Sequence, residues 1–368
     1  MNARSQVWEL VARLIFDRCG SELAACLRSE AAAAPGFWAE VISTANAYFV
    51  TAPLWTALLE NGLHTCVPDD EAAYLKSFHD LNRTRNQAVR AQLLQCMQAL
   101  NGHGIEPMPI KGAAYMMSGL HADVGDRFFT DIDLLLPEGS VERAADILRE
   151  IGYSSVPAPE LDDAAHHHLA PLVRDDAPAA VELHRAAVPA PAQPALPVSS
   201  LWNRAAARMT QGVHYLVPSP SDAAMLSFLH TEVADGQLSL YVLPLRALHD
   251  MVLLQRRHGA EIDWSENVRR AAAIGAQPQL RRYLHALYRI SGVRPVEELR
   301  FSRSDALHFW LSRAAIAWPP VSRWIFRANR FSGRTIRERY HVAGGALDMT
   351  VCRIREIGAM MSRGFGKT

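Results

Sequence analysis

Two acids spaced two positions apart, Asp131 and Asp133, are the most chemically suggestive pair in the chain. They lie in Asp131-Ile132-Asp133-Leu134-Leu135-Leu136, a short apolar run bounded by Pro137 that predicts a strand. Side chains at i and i+2 of a strand share a face, so both carboxylates project together while Ile132 packs behind. Adjacent carboxylates repel unless a cation lies between them. Hard oxygen ligands of this kind suit Mg2+ or Mn2+. The competing reading is a strand end with two solvated acids, each paired with a surface base. Upstream, Lys111-Gly112 falls between a short apolar strand, Met108-Pro109-Ile110, and a helix over Ala113 to Leu120. A glycine there lets backbone N–H groups approach a phosphate, and the helix N-terminus favours negative charge. Lys111 adds a point charge, and the Arg127 guanidinium could grip phosphate oxygens. Against this, Gly112 could be a plain turn glycine and Arg127 a partner for Asp126 or Asp131. Downstream, Val181-Glu182-Leu183-His184 repeats the strand geometry, with Glu182 and His184 on one face. If that strand lies beside the first, Glu182 is a natural third carboxylate. Three carboxylates can hold two divalent ions about 4 Å apart, clamping both oxygens of a phosphoryl displacement. His184 fits a role in the site as well as it fits a strand-end histidine making one hydrogen bond.

Something must position these groups. Residues 5–101 predict helices: Val7, Leu10, Val11, Leu14 and Ile15 form one apolar stripe and Val89, Leu93, Met97 and Leu100 another, with Asn101-Gly102 as a stop. Nothing in this region resembles a reactive constellation, so it reads as a helical packing region. From Gly104 the texture is mixed. After the Asp131 strand comes a helix over Glu138 to Ile151, closed by Gly152, then a strand over Tyr153 to Val156. Residues 169–173 and 179–184 are further strands, joined as a hairpin by Asp175, Asp176 and Pro178. Pro189, Pro191, Pro194 and Pro197 make 187–198 a linker or an extended excursion over the surface. Ser219 then caps a helix with Pro220 at its first position and Asp222 near its third. The rest is helical, with breaks near Gly236, Gly259, Gly275, Gly292 and Pro319-Pro320. The expected fold class is α+β, predominantly helical. A mixed-sheet core over 104–215 is flanked by a helical N-terminal region, 1–103, and a helical C-terminal region, 216–368.

The order of these residues resembles the nucleotidyltransferase superfamily. Ile110-Lys111-Gly112-Ala113-Ala114, Arg127, Thr130-Asp131-Ile132-Asp133-Leu134-Leu135, Gly152-Tyr153 and Val181-Glu182-Leu183-His184 carry the likeness. More narrowly, the chain looks like the bacterial group of uncharacterised nucleotidyltransferases, and it echoes the abortive-infection nucleotidyltransferases. The likeness covers about residues 85–257 and includes Leu201-Trp202-Asn203-Arg204-Ala205, the helix ending in His230, and Leu248 to Asp250. It implies transfer of a nucleoside monophosphate from a nucleoside triphosphate to an acceptor, with release of pyrophosphate. Asp131 and Asp133 would bind both metals, and Glu182 would complete the acceptor-side metal and help deprotonate the nucleophile. Lys111 and Gly112 would hold the triphosphate, with Arg127 and His184 beside it. Many members carry Gly-Ser after the first strand, whereas this chain has Lys111-Gly112-Ala113, so a hydroxyl that usually touches a phosphate is missing. The acceptor could be a small molecule, a peptide or protein side chain, or an RNA end. The alternatives are a non-catalytic nucleotide-sensing or partner-binding module and a toxin-like enzyme modifying tRNA.

His166-His167-His168 tempts a metal reading, but three consecutive histidines cannot face one site, and a solvated loop is expected. His230 reads as a core histidine and Asp250 as a helix-surface acid. The chain has 368 residues, and 49% hydrophobic content with 38 Lys+Arg against 38 Asp+Glu excludes a disordered chain. Its five cysteines, odd in number and without C-x-x-C, suit a reducing compartment. Charged residues in the first turns leave no signal-peptide core, and no run reaches about 18 apolar residues. A cytoplasmic protein without a transmembrane segment is expected. The zero net charge is a cancellation, because segment 321–368 carries ten Arg and Lys against three acids, or +7. Interleaved aromatics such as Trp324, Phe331 and Tyr340 fit this segment to RNA, an anionic membrane surface or an acidic partner.

Overall fold

A computed structural model describes residues 3–16, 21–156, 167–234, 236, 240–296 and 299–318. The basic segment 321–368 and His166 lie outside the described residues. The chain opens with α1 (Ala3–Ile15), α2 (Ser21–Ala33), α3 (Phe37–Ala47), α4 (Thr51–Glu60) and the long α5 (Asp69–Gly102). The mixed region follows as β1 (Met108–Pro109), α6 (Lys111–Ser118), β2 (Asp131–Leu135), α7 (Val141–Glu150), β3 (Ser154–Ser155), β4 (Leu172–Val173) and β5 (Ala180–His184). Next come α8 (Val198–Arg204), a hairpin of β6 (Ala206–Thr210) and β7 (Val213–Val217), and α9 (Pro220–Phe228). The last described helices are α10 (Leu245–His258), α11 (Trp264–Ala273), α12 (Gln277–Ser291) and α13 (Arg303–Ala317). The fold is α+β and predominantly helical, as the sequence predicts. None of the described helices is long and apolar enough to cross a membrane.

The five-stranded sheet runs β1-β2-β5-β4-β3. β2 and β5 are parallel neighbours at its centre, with Asp133 opposite Glu182 and Leu135 opposite His184. β1 is antiparallel to β2, and β4 pairs antiparallel with both β5 and β3. The condition set by the sequence, that the Glu182 strand lie beside the Asp131 strand, is therefore met. Ile132, Leu134, Val181 and Leu183 are fully buried in one core with Val89, Leu93, Met97 and Leu100 of α5. Alternation along each strand thus gives one face to the core and the other to the acids. The predicted hairpin of the two later strands forms, with Leu172 opposite Val181. Gly152 takes a φ of +96° after α7, as its capping position requires.

A second core joins α1 to the last described helices. Trp8, Val11 and Leu14 of α1 pack in one cluster with Leu280, Tyr283 and Leu287 of α12. Arg313 of α13 caps this union, donating to Glu9 at 2.6 Å and lying 4.7 Å above the Trp8 ring.

Two features differ from the sequence reading. The proline-rich stretch is no surface excursion: Ala187, Val188, Ala192, Ala195 and Leu196 are buried, and 190–195 is a 3-10 helix. Proline suits the start of such a turn, and alanine between prolines is small enough to pack closely. The β6–β7 hairpin is an addition to the expected elements, although Gln211-Gly212 between two alternating runs is a two-residue turn signal.

Candidate active site

The N-terminal helices prove to be the scaffold of the site. Helix α5 carries polar residues at helical spacing, and they are buried: His79, Asn82, Asn86 and Gln92. Asn82 donates to the carbonyls of Gly125 (2.6 Å) and Arg127 (3.1 Å). Asn86 donates to those of Val124 (2.6 Å) and Arg127 (2.7 Å). Arg85 binds the Phe129 carbonyl at 2.6 Å and the Pro178 carbonyl at 3.1 Å. Those two carbonyls lie just ahead of β2 and β5, so one guanidinium ties the starts of both acid-bearing strands. A long solvated face on α5 would have left the loop carbonyls of 123–129 buried and unpaired, which costs free energy. In sequence this stripe looks like an ordinary solvated helix face, because amides spaced along a helix do not reveal which carbonyls they will meet.

Asp133 is 1% exposed and receives two donors on one oxygen. His184 Nε2 donates to Asp133 Oδ1 at 2.9 Å, and Lys111 Nζ lies 2.8 Å from the same atom. Lys111 reaches it because the Ile110 N–H bonds the Asp133 carbonyl at 3.1 Å, which seats the start of α6 against β2. Burial alone would raise the Asp133 carboxyl; the His184 hydrogen bond and the Lys111 charge outweigh it and hold it well below the usual carboxylate range. Glu182 is also lowered, first by the His184 imidazole, whose Nε2 is 3.6 Å from Oε2, ion-pair range rather than a hydrogen bond. Asp131 behaves oppositely: burial, then repulsion from Asp133, raises it, although the Thr130 hydroxyl donates to it at 2.9 Å. His184 is fully buried, and burial alone would lower its pKa; the Asp133 hydrogen bond and the adjacent Glu182 carboxylate outweigh this and raise it.

Ligand atoms of Asp133, Glu182 and His184 lie within 4.8 Å of one another. Asp131 lines the adjoining cavity and stands outside that trio. The donor set suits a divalent cation of the Mg2+ or Mn2+ kind, because hard carboxylate oxygens predominate. The Lys111 ammonium already holds positive charge against Asp133. His184 fits less well as a ligand. Its Nδ1 is buried with no partner among the described residues, whereas a metal-bound imidazole normally donates from its second nitrogen. Its geometry is that of a donor to Asp133, with the Glu182 carboxylate in ion-pair range of the same nitrogen.

A cavity of about 580 Å³ opens in front, lined by Lys111, Gly112, Arg127, Asp131 and Asp133 together with residues of α9, α10 and the end of α3. That volume lies in the range of small-molecule sites. Lys111 has a φ of +51°, a left-handed backbone in a non-glycine residue at the first turn of α6. Such strain clusters at functional sites. Gly112 keeps an ordinary φ; its need is space, since a Cβ would stand 2.8 Å from Arg127 Nη1 and 3.2 Å from Phe129 Cδ1.

Arg127 pairs with neither Asp126 nor Asp131. Its Nε donates to both oxygens of Asp250, at 3.1 and 3.0 Å, and its guanidinium lies 4.7 Å from the Phe129 ring. Nη1 and Nη2 find no acceptor among the described residues. Asp250 is accordingly buried, at 3% exposure, with His121 Nε2 2.9 Å away. It is not a helix-surface acid; burial would raise it, but Arg127 and His121 hold it well below the usual range. Asp126, the other suggested partner, accepts instead from His79.

The histidines also depart from expectation. His167 and His168 are half-buried, and their rings lie 5.5 and 5.1 Å from that of His184. The Arg185 N–H bonds the His167 carbonyl at 2.8 Å, so these residues extend the edge of β5. They line a smaller cavity of about 250 Å³ with Lys111, Asp131, Glu182 and His230. His230, half-buried on a π-helical turn at 229–234, lines both cavities rather than the core.

No curated protein matches the chain in sequence. A family model described as uncharacterised nucleotidyltransferase matches residues 35–290, which takes in the α5 scaffold, the acid-bearing sheet and both cavities, and the chain belongs to that family.

Proposed function

We propose that this protein is a divalent-cation-dependent nucleotidyltransferase that moves a nucleoside monophosphate from a nucleoside triphosphate to an acceptor hydroxyl or phosphate. One observation carries the reading. Asp133 and Glu182 face each other across parallel strands, with Lys111 on Asp133 and the larger cavity in front. Asp131, Asp133 and Glu182 would hold Mg2+ or Mn2+, which when bound neutralises charge on the phosphates and on the attacking oxygen. Lys111, the Gly112 N–H and the free end of the Arg127 guanidinium bind the triphosphate oxygens. Glu182, kept ionised by His184, accepts the proton of the acceptor. The acceptor oxygen bonds to the α-phosphorus as the α–β anhydride bond breaks, and pyrophosphate leaves. His184 holds Asp133 by a hydrogen bond and lies in ion-pair range of Glu182, so it acts as a positioning residue.

The test is incubation of the protein with each labelled nucleoside triphosphate and a cell extract, followed by assay of pyrophosphate and location of the label. Label on a metabolite, a protein or RNA names the acceptor. Asp131→Asn with Asp133→Asn should remove transfer from a protein that still folds. Unchanged transfer would refute the assignment, and triphosphate binding without pyrophosphate release would favour a non-catalytic module.

A further inference from the structure

The larger cavity has a wall that the phosphate chemistry leaves unused. Helix α3 ends in a Schellman motif: the Val50 N–H reaches back to the Ala45 carbonyl at 2.9 Å, and the Phe49 N–H to that of Asn46 at 3.1 Å. The residue that must turn left-handed there is usually glycine, but here it is Phe49, with a φ of +57°. Its ring gains little from burial, being 52% exposed. It stacks on Phe128 with centroids 6.3 Å apart and planes 22° apart, and the Arg246 guanidinium lies 5.2 Å from its centre. Phe128 precedes Asp131 by three residues, so the wall is tied to the acid-bearing strand. Phe49 and Arg246 line the same cavity as Lys111 and Asp133, and Phe49 with Phe128 also lines an adjoining cavity of about 350 Å³. A strained backbone that presents an exposed aromatic ring beside an arginine, in the cavity that Lys111 also lines, is what a planar π-system attached to phosphates requires.

We propose that Phe49, with Arg246 beside it, is the stacking wall for the nucleobase of the nucleoside triphosphate. The inference rests on the triphosphate reading of the Lys111–Asp133 end. Every base has a π-face, so the wall selects for a nucleotide over a bare polyphosphate and discriminates weakly among bases.

Calorimetric binding of ATP, CTP and inorganic tripolyphosphate, each with Mg2+, to the full chain tests it. Phe49→Gly suits the left-handed backbone, so the fold should be kept, while Phe49→Trp restores a π-face. The expected result is a loss of about tenfold or more in ATP and CTP affinity for Phe49→Gly. Tripolyphosphate affinity should be unchanged, and Phe49→Trp should bind ATP as the wild type does. Equal losses for nucleotides and tripolyphosphate, or no loss for nucleotides, would overturn the wall. Tripolyphosphate binding to the wild type as tight as that of ATP would also overturn it while leaving the triphosphate reading intact. Failure of the wild type to bind any of the three would overturn the triphosphate reading itself.

Discussion

Gln92 grips Ala179 by both of its backbone groups: the side-chain amide donates to the Ala179 carbonyl at 2.7 Å and accepts from its N–H at 3.1 Å. Ala179 directly precedes β5, so a side chain of α5 fixes where the Glu182 strand begins. Replacing Gln92 with Leu leaves a buried donor and a buried acceptor unpaired and should cost about 2–4 kcal/mol. Urea unfolding measures this, and transfer activity should fall with it although Gln92 is remote from the acids. Wild-type stability in Gln92→Leu would show the clamp to be redundant.

Gly112→Ala should be more harmful than its size suggests. The added methyl would stand 2.8 Å from Arg127 Nη1, and Arg127 cannot retreat easily with Asp250 on its Nε and Phe129 against its face. Overpacking of this kind costs about 1–3 kcal/mol. Triphosphate affinity, read by calorimetry, should drop as Arg127 shifts. Normal affinity in the Gly112→Ala variant would mean that the Arg127 position is unimportant for the phosphates.

His184→Phe removes the donor that holds Asp133, and the imidazole beside Glu182, but leaves the ring volume. Mn2+ affinity, read from the electron paramagnetic signal of free Mn2+, should fall about tenfold or more. His184→Gln, which keeps a donor, should recover part of it. If His184 were itself a ligand, Gln would recover little, because its amide is a poor substitute for imidazole nitrogen.

The placement of the acids is more legible in the sequence than that of the residues that support them. Asp131, Asp133 and Glu182 can be read because strand alternation leaves a period of two, and buried Ile132 and Leu183 mark the opposite face. Lys111 is legible by its place between strand and helix. The Arg127–Asp250 pair is not, since its members are 123 positions apart and no local rule joins them. Phe49 is hidden for a related reason: an aromatic after a helix signals nothing until its φ and its neighbours are known. His167 and His168 mislead because their run looks polar and loop-like, yet ladder bonding to β5 draws them against His184.

The Arg127–Asp250 pair sets an acid limit on stability. Asp250 is ionised and buried, and its carboxyl is held well below its unfolded value, which is about 3.9. A depressed folded pKa means that the unfolded chain takes up the proton first. The contribution of Asp250 is therefore complete above its unfolded pKa and is lost as pH falls through about 4 toward the folded value. Asp250→Asn strands the Arg127 charge in a largely buried position and should cost about 3 kcal/mol or more at neutral pH. The variant should also show a shallower fall in stability below about pH 4, because its amide does not titrate. Unfolding free energies from urea melts at a series of pH values test both effects. A neutral-pH loss with an unchanged acid limb would place the acid sensitivity in other carboxylates. An unchanged neutral stability would show that Arg127 finds another anion when Asp250 is removed.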